Sequence, residues 1–239
     1  MAKFRLRLLT VATVLATLAL LISAAAASAT PVRVEGPRGN VFQGTVTPFV
    51  GSLKDQNGVS HKTTKTTALG ALVAASRTGP FPLGLSWSDS FGGGWAGFFI
   101  NSVNRVAPPP TAFWAVKIKQ KLTIAGAGSA LVTPTSSVLV YYTTYDPTTF
   151  ATEKTLAITA SNSSVAVGAP VTITVRAYDD AGHPTPGANA WVWVNGVGVH
   201  ADATGQAVVR LGKPGAFSVR STAPNEIRSQ TLWIHATAS

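Results

Sequence analysis

AWVWVNGVGVH (residues 190–200) is the stretch that decides how the C-terminal part of this chain folds. Trp191, Val192, Trp193 and Val194 favour extended backbone, Val197 and Val199 answer them, and Asn195-Gly196 lies between. Asn-Gly tolerates the two consecutive positive φ angles of a type I′ turn, whose twist matches the strands it joins. The segment therefore predicts a tight β-hairpin. The same reading extends outward on both sides. Leu156 and Ile158, Val165 and Val167, then Val171, Ile173 and Val175 recur at every second position, and Asp179-Asp180-Ala181-Gly182 reads as a turn, with a second bend over residues 184–187. Further strand-like runs follow at residues 207–209, 216–219 and 232–235. Short strands separated by turns, with no helical pattern among them, predict a β-sandwich over residues 155–239.

Upstream, the polar, proline-containing run YDPTTFATEKT (residues 145–155) marks a change of pattern, with residues 147–154 as a linker. Residues 30–146 read as a mixed sheet carrying one helix. Val32 and Val34, then Val41, Thr45 and Val46, alternate around the turn GPRGN (residues 36–40). Residues 66–77 form the helix: Thr66 or Thr67 caps it, Leu69, Leu72 and Val73 share a face, and Gly79-Pro80 stops it. Strand-like runs return at residues 81–86, 95–101, 115–124 and 138–143. The expected fold class is mainly β, an α+β module with one helix followed by a β-sandwich.

The 239 residues include no cysteine, which excludes disulfides, a thiolate nucleophile and cysteine-ligated metal. Only three glutamates occur, too few for a helical bundle. Residues 1–29 have the tripartite form of an export signal: Lys3, Arg5 and Arg7, an apolar core from Leu8 to Ile22, and the small-residue ending Ala27-Ser28-Ala29. The apolar stretch is also close to membrane-spanning length, but its A-x-A ending favours cleavage. The chain is expected to be secreted or attached to the cell surface, with no transmembrane segment after cleavage. Past residue 29 there are sixteen basic and nine acidic residues, a balance of +7, of which +6 lies in residues 30–150.

VRVEGPRGNVFQGTV, TTALGALVAASR, GWAGFFINSVNR and SSVLVYYT occur in that order over residues 31–146, and this region resembles the transcobalamin-like C-terminal domain family, a β-grasp-like module of exported bacterial proteins. In the cobalamin carriers that module closes over a ligand held by a separate helical barrel, so the resemblance implies, as an alternative role, a carrier or transporter accessory for a corrinoid-like ligand. PTPGANAWVWV and DATGQAVVRLGKPGAFSVR resemble bacterial immunoglobulin-like or carboxypeptidase-regulatory-like repeats over residues 155–236, which act as spacers or adhesive units. That register implies Ala188, Ala190, Val192 and Val194 facing inward and Trp191 and Trp193 sharing the opposite face.

Enzyme signatures are largely missing: no G-x-S-x-G elbow, H-E-x-x-H helix, Walker loop or dinucleotide fingerprint occurs, and Gly92-Gly93-Gly94 precedes an aromatic strand rather than a helix. The histidines, His61, His183, His200 and His235, stand apart from one another, so a hydrolase would need a triad assembled from distant residues. Asp179, Asp180 and Asp202 read as turn residues rather than calcium ligands. No catalytic residue, metal or cofactor is expected. Two features suit binding. Trp95, Phe98, Phe99, Asn101 and Trp114 form the candidate ligand-binding set, able to stack on a ring-containing or apolar ligand if they line a cleft rather than fill the core. Lys117, Lys119 and Lys121 alternate with Val116, Ile118, Gln120 and Leu122, so an extended strand places all three on one face as a basic patch for an anionic partner or as a solvated edge. Trp191 and Trp193 should contact the first module or a partner, because two exposed indoles are poorly solvated. The expected role is an exported, non-enzymatic binding or cell-surface interaction protein, with an envelope polymer, another surface protein or a small ring compound as partner and nucleic acid not expected.

Overall fold

The computed structural model describes residues 29–91, 95–124 and 126–238, with residues 90, 91 and 95 described in backbone only. Residues 1–28 of the expected export signal (residues 1–29) and the triple glycine at 92–94 lie outside the described residues. The fold is mainly β, and two hydrophobic cores organise it.

The first core lies between one sheet and one helix. Strands β1 (Thr30–Gly36) and β2 (Gly39–Val46) form a hairpin. Strand β1 runs parallel to β9 (Val138–Thr144), which pairs with β7 (Ala112–Ile118), and β7 with the short β8 (Lys121–Leu122). The sheet order is β2-β1-β9-β7-β8. Helix α1 (Ala68–Thr78) covers one face, burying Leu69, Leu72 and Val73 against Val32, Val34 and Val140. Each such side chain contributes about 1.5–3 kcal/mol on burial. Thr67, extended and outside the helix, accepts the Gly70 N–H at 3.2 Å, and the Gly79 N–H bonds the Ala75 carbonyl at 2.8 Å, so both expected stops are used. Gly70 is required where it stands, because a Cβ there would collide with the Phe49 carbonyl. Two ribbons flank this body: β3 (Gly51–Lys54) with β4 (Ser60–Thr63), and β5 (Leu83–Phe91) with β6 (Trp95–Val103).

The second core is enclosed by two five-stranded sheets. In one, β12 (Pro170–Tyr178) pairs on one side with β10 (Lys154–Ala160), itself beside β18 (Glu226–Ile227), and on the other with β13 (Pro184–Pro186) and β16 (Gln206–Arg210). The other has the order β11 (Ser164–Ala166), β19 (Leu232–Thr237), β17 (Gly215–Thr222), β14 (Trp191–Val194), β15 (Val197–His200). Leu156, Ile158, Val171, Ile173, Val192, Val219 and Ile234 meet between them. Asn195 and Gly196 take φ of 45° and 88°, the hairpin turn the sequence predicts.

One expected strand is not a single strand. Residues 115–124 break at Lys119 and Gln120, whose φ angles of 50° and 70° form a two-residue turn, and Ile118 pairs with Lys121. Both faces of the first sheet are also covered. Val32 and Val34 face the helix, while Arg33, Glu35, Ala115, Leu139 and Tyr141 are buried on the back, with Ile227 of the second region among them.

Candidate functional site

The aromatic set divides around a cavity of about 650 Å³ between β6 and β7, bounded also by residues 122–124 and 126–129. Strand β6 supplies residues 96–100 and β7 residues 113–116, so the cavity runs between two strands that do not pair with each other. Phe98, Phe99 and Trp114 all line it, with Ile100, Leu122 and Ile124. Phe98 and Trp114 are at the same time core residues, and the Trp114 indole N–H donates to the Val106 carbonyl at 3.1 Å, which fixes the ring. Ile124 is 96% exposed at the rim. Among the described residues the lining holds no charged side chain, and its polar groups are the hydroxyls of Thr123 and Ser129. Asn101 is not part of it: its Oδ1 accepts the Ser86 hydroxyl at 2.8 Å across the ribbon, and the residue is exposed. Trp95 opens β6, and its side chain lies outside the described residues.

The lysine row does not form a common face. The turn at Lys119-Gln120 reverses the chain, so period-2 spacing ends before the third lysine is reached. Lys117 is fully buried on the back of the first sheet. Its ammonium donates to the carbonyls of Tyr178 (3.2 Å) and Asp179 (3.0 Å) and pairs with Asp180 at 3.4 Å. Burial lowers its pKa, against which the Asp180 carboxylate works. This lysine is a structural bolt rather than a contact for an external anion. Lys119 is exposed and donates to the Thr135 hydroxyl at 3.1 Å, and Lys121 is exposed beside Gly182. The Leu122 N–H bonds the Asp180 carbonyl at 2.9 Å, so the whole β7–β8 hairpin is seated on the turn after β12.

A second buried charge group was not evident from spacing. Glu35 sits 1% exposed with Arg228 at 3.1 Å and Arg33 at 3.9 Å, and Asn40 donates to it at 3.0 Å. Burial pushes its carboxyl above the ordinary range, partly offset by those cations. Burial also lowers Arg33 to about 10. Arg228 further donates to the Gly36 carbonyl at 2.9 Å, and Gln43 exchanges two hydrogen bonds with the Thr231 backbone. The alternating V-R-V-E of β1 resembles a half-solvated strand; its polar residues face a partner surface instead.

His61 is the one histidine held by aromatic rings and a carboxylate together. Its Nε2 lies 3.1 Å from Asp55, its ring stacks on Trp87 at 3.8 Å, and the Phe98 ring meets it edge-on at 5.4 Å. Partial desolvation pushes the Asp55 carboxyl up, but the bonds from His61 and from the Asn57 and Val59 N–H groups prevail and hold it below its ordinary value. The pair spans six residues across the β3–β4 hairpin, and only strand pairing brings it together. It pins this hairpin to the β5–β6 ribbon. The three aspartates are occupied as turn and bridge groups. Asp179 accepts the His183 N–H, Asp180 takes Thr152 and Lys117, and Asp202 caps its own turn through Thr204 and Gln206.

Trp191 and Trp193 share the outward face of β14, and among the described residues the hydrogen bonds and ion pairs of the first sheet reach residues 152–156, 178–180 and 228–231 rather than either indole. Their rings contact each other at 5.3 Å, and Trp191 contacts His200 at 3.6 Å. The described residues include no helix long and apolar enough to cross a membrane. No protein-family model matches the chain, and no curated protein matches it.

Proposed function

We propose that this chain is an exported, non-enzymatic binding protein whose small-molecule site is the cavity between β6 and β7. One observation carries the reading: Phe98, Phe99 and Trp114 converge on a void of about 650 Å³ with no charged side chain in its described lining. Ligand sites of roughly 300–1,000 Å³ with mostly apolar walls and few polar groups are the common form for small-molecule recognition. An uncharged, ring-containing or apolar compound suits these walls, because a charged group would lose hydration without gaining a partner. The buried charges of the same sheet face the other way: Arg33, Glu35 and Lys117 hold its back. Export rests on the tripartite N-terminal segment. The β-grasp-like and immunoglobulin-like assignments belong to the same reading, as a ligand module backed by a presenting module.

The uncharged probe N-phenyl-1-naphthylamine tests it. Saturable, blue-shifted emission is expected with the native chain. Gly97 lines the cavity, and a Cβ there would meet no atom within 4 Å. Gly97→Leu is therefore expected to fill the space and abolish the signal while the melting temperature is kept. Non-saturable emission, or emission unchanged in Gly97→Leu, overturns the site.

A further inference from the structure

The sheet β11-β19-β17-β14-β15 carries an aromatic face on the side away from the second core. Cross-strand pairing puts Trp193 opposite Gly198 and Arg220, and Trp191 opposite His200. Both indoles close over Gly198: a Cβ there would lie 2.8 Å from the Trp191 ring and 3.0 Å from that of Trp193. Lacking a side chain, Gly198 leaves room for the two rings, which stack with centroids 5.3 Å apart and planes within 25°, the His200 ring lying 3.6 Å from that of Trp191. The Trp193 N–H is fixed on the Thr222 hydroxyl at 2.9 Å. Trp233, two strands away on β19, is 58% exposed, and Trp191 is 37% exposed. The result is an exposed aromatic surface on one face of the sheet.

Its charge is one-sided. The five strands contain no aspartate or glutamate, one arginine, Arg220, and two histidines, His200 and His235, all three exposed. Arg220 acts electrostatically on Glu35, but that carboxylate is buried and already held by Arg228 and Arg33.

We propose that this face binds an acidic polysaccharide, with sugar rings laid on Trp191, Trp193 and Trp233 and their carboxylates directed to Arg220. A pyranose ring presents flat C–H faces that suit an indole surface, with polar groups at its edge for a cation nearby. A purely apolar ligand is better served by a concave site such as the β6–β7 cavity. A second copy of the chain suits the face less well. A two-fold contact sets the patch against itself, bringing the cationic groups of both copies together with no carboxylate between them. The proposal is independent of the cavity, which uses other residues in the other half of the chain.

Affinity electrophoresis of the chain in gels containing polygalacturonate, with amylose as the neutral control, tests it. The expected result is retardation by polygalacturonate that weakens with salt, and little by amylose. Trp191→Ala and Trp233→Ala leave net charge unchanged and should each weaken retention about tenfold. Arg220→Ala should remove much of the salt-sensitive part. The residues are exposed, and circular dichroism checks that each variant folds; Gly198→Val, which forces the rings to move, is the second probe. Retention unchanged in both tryptophan variants means attraction by net charge alone and overturns the proposal. So does equal retention by amylose, absence of retention, or a concentration-dependent dimer that Trp233→Ala dissolves.

Discussion

Lys117 shows how far a residue's role can lie from its sequence pattern. Its ammonium is fully buried and satisfied by two carbonyls and a carboxylate. Lys117→Met keeps the stem but removes the ammonium from Asp180 and both carbonyls, so a loss of about 2–4 kcal/mol is expected in urea unfolding. The buried titratable groups also set a pH dependence whose sign follows from the direction of each shift. Glu35 titrates above its ordinary 4.5, so the native state holds this proton longer than the unfolded chain does. Its contribution is complete below that ordinary value and is lost as pH rises through the raised one. Lys117 titrates below its ordinary 10.5, so the unfolded chain holds more protons between the two values, and stability rises with pH there. Glu35→Gln should therefore flatten the decline above pH 4.5 in a series of melting temperatures, while leaving the alkaline rise in place. A decline of unchanged slope would assign it to other groups.

At the scale of elements, two hairpins turn on the same geometry with different residues. Asn195-Gly196 is the preferred pair for two positive φ angles, and the sequence displays it openly. Lys119-Gln120 adopts similar angles without that preference, and nothing in the run VKIKQKL distinguishes it from one long strand. What forces the turn is docking: Leu122 bonds the Asp180 carbonyl, and Lys121 lies against Gly182. Exchanging Lys119-Gln120 for Asn-Gly should relieve left-handed backbone strain and raise stability by about 0.5–1 kcal/mol in denaturant midpoints. The helix was legible because its signals are local, a threonine cap, an apolar stripe and a Gly-Pro stop. The β3–β4 hairpin was not, since GSLK and SHKT offer almost no apolar alternation and are held by His61 against Trp87 and Phe98. The aromatic site was half legible. Its residue types announce burial or binding, but only the failure of β6 and β7 to pair opens a cavity beside Phe98 and Trp114.

Across the whole molecule, the back of the first sheet joins the two cores. Leu139, Tyr141 and Ala115 form an apolar cluster with Ile227, ringed by the Lys117–Asp180 and Glu35–Arg228 pairs. The connection at residues 145–153 is folded rather than extended. Tyr145 bridges Thr152, Asp146 accepts two N–H groups, and Thr152 is tied to Asp180 and to the Tyr141 hydroxyl. Such a junction couples the two regions, so calorimetry should show one transition with equal calorimetric and van't Hoff enthalpies. Tyr141→Ala empties the centre of the junction and should split the transition in two. A single transition in the variant would place the coupling elsewhere.

By itself the sequence determined the mainly β class, the helix and its stops, and the Asn-Gly hairpin. Each of these depends on contacts within a few residues: side-chain period, cap chemistry and turn angles. Tertiary structure alone decided which face of each strand meets water. It covered both sides of β1, reversed the chain at Lys119, buried Lys117, left Trp191 and Trp233 exposed and held β6 away from β7. The physical reason is that burial depends on surfaces brought together from distant parts of the chain, and alternation shows that a strand has two faces without showing what covers either.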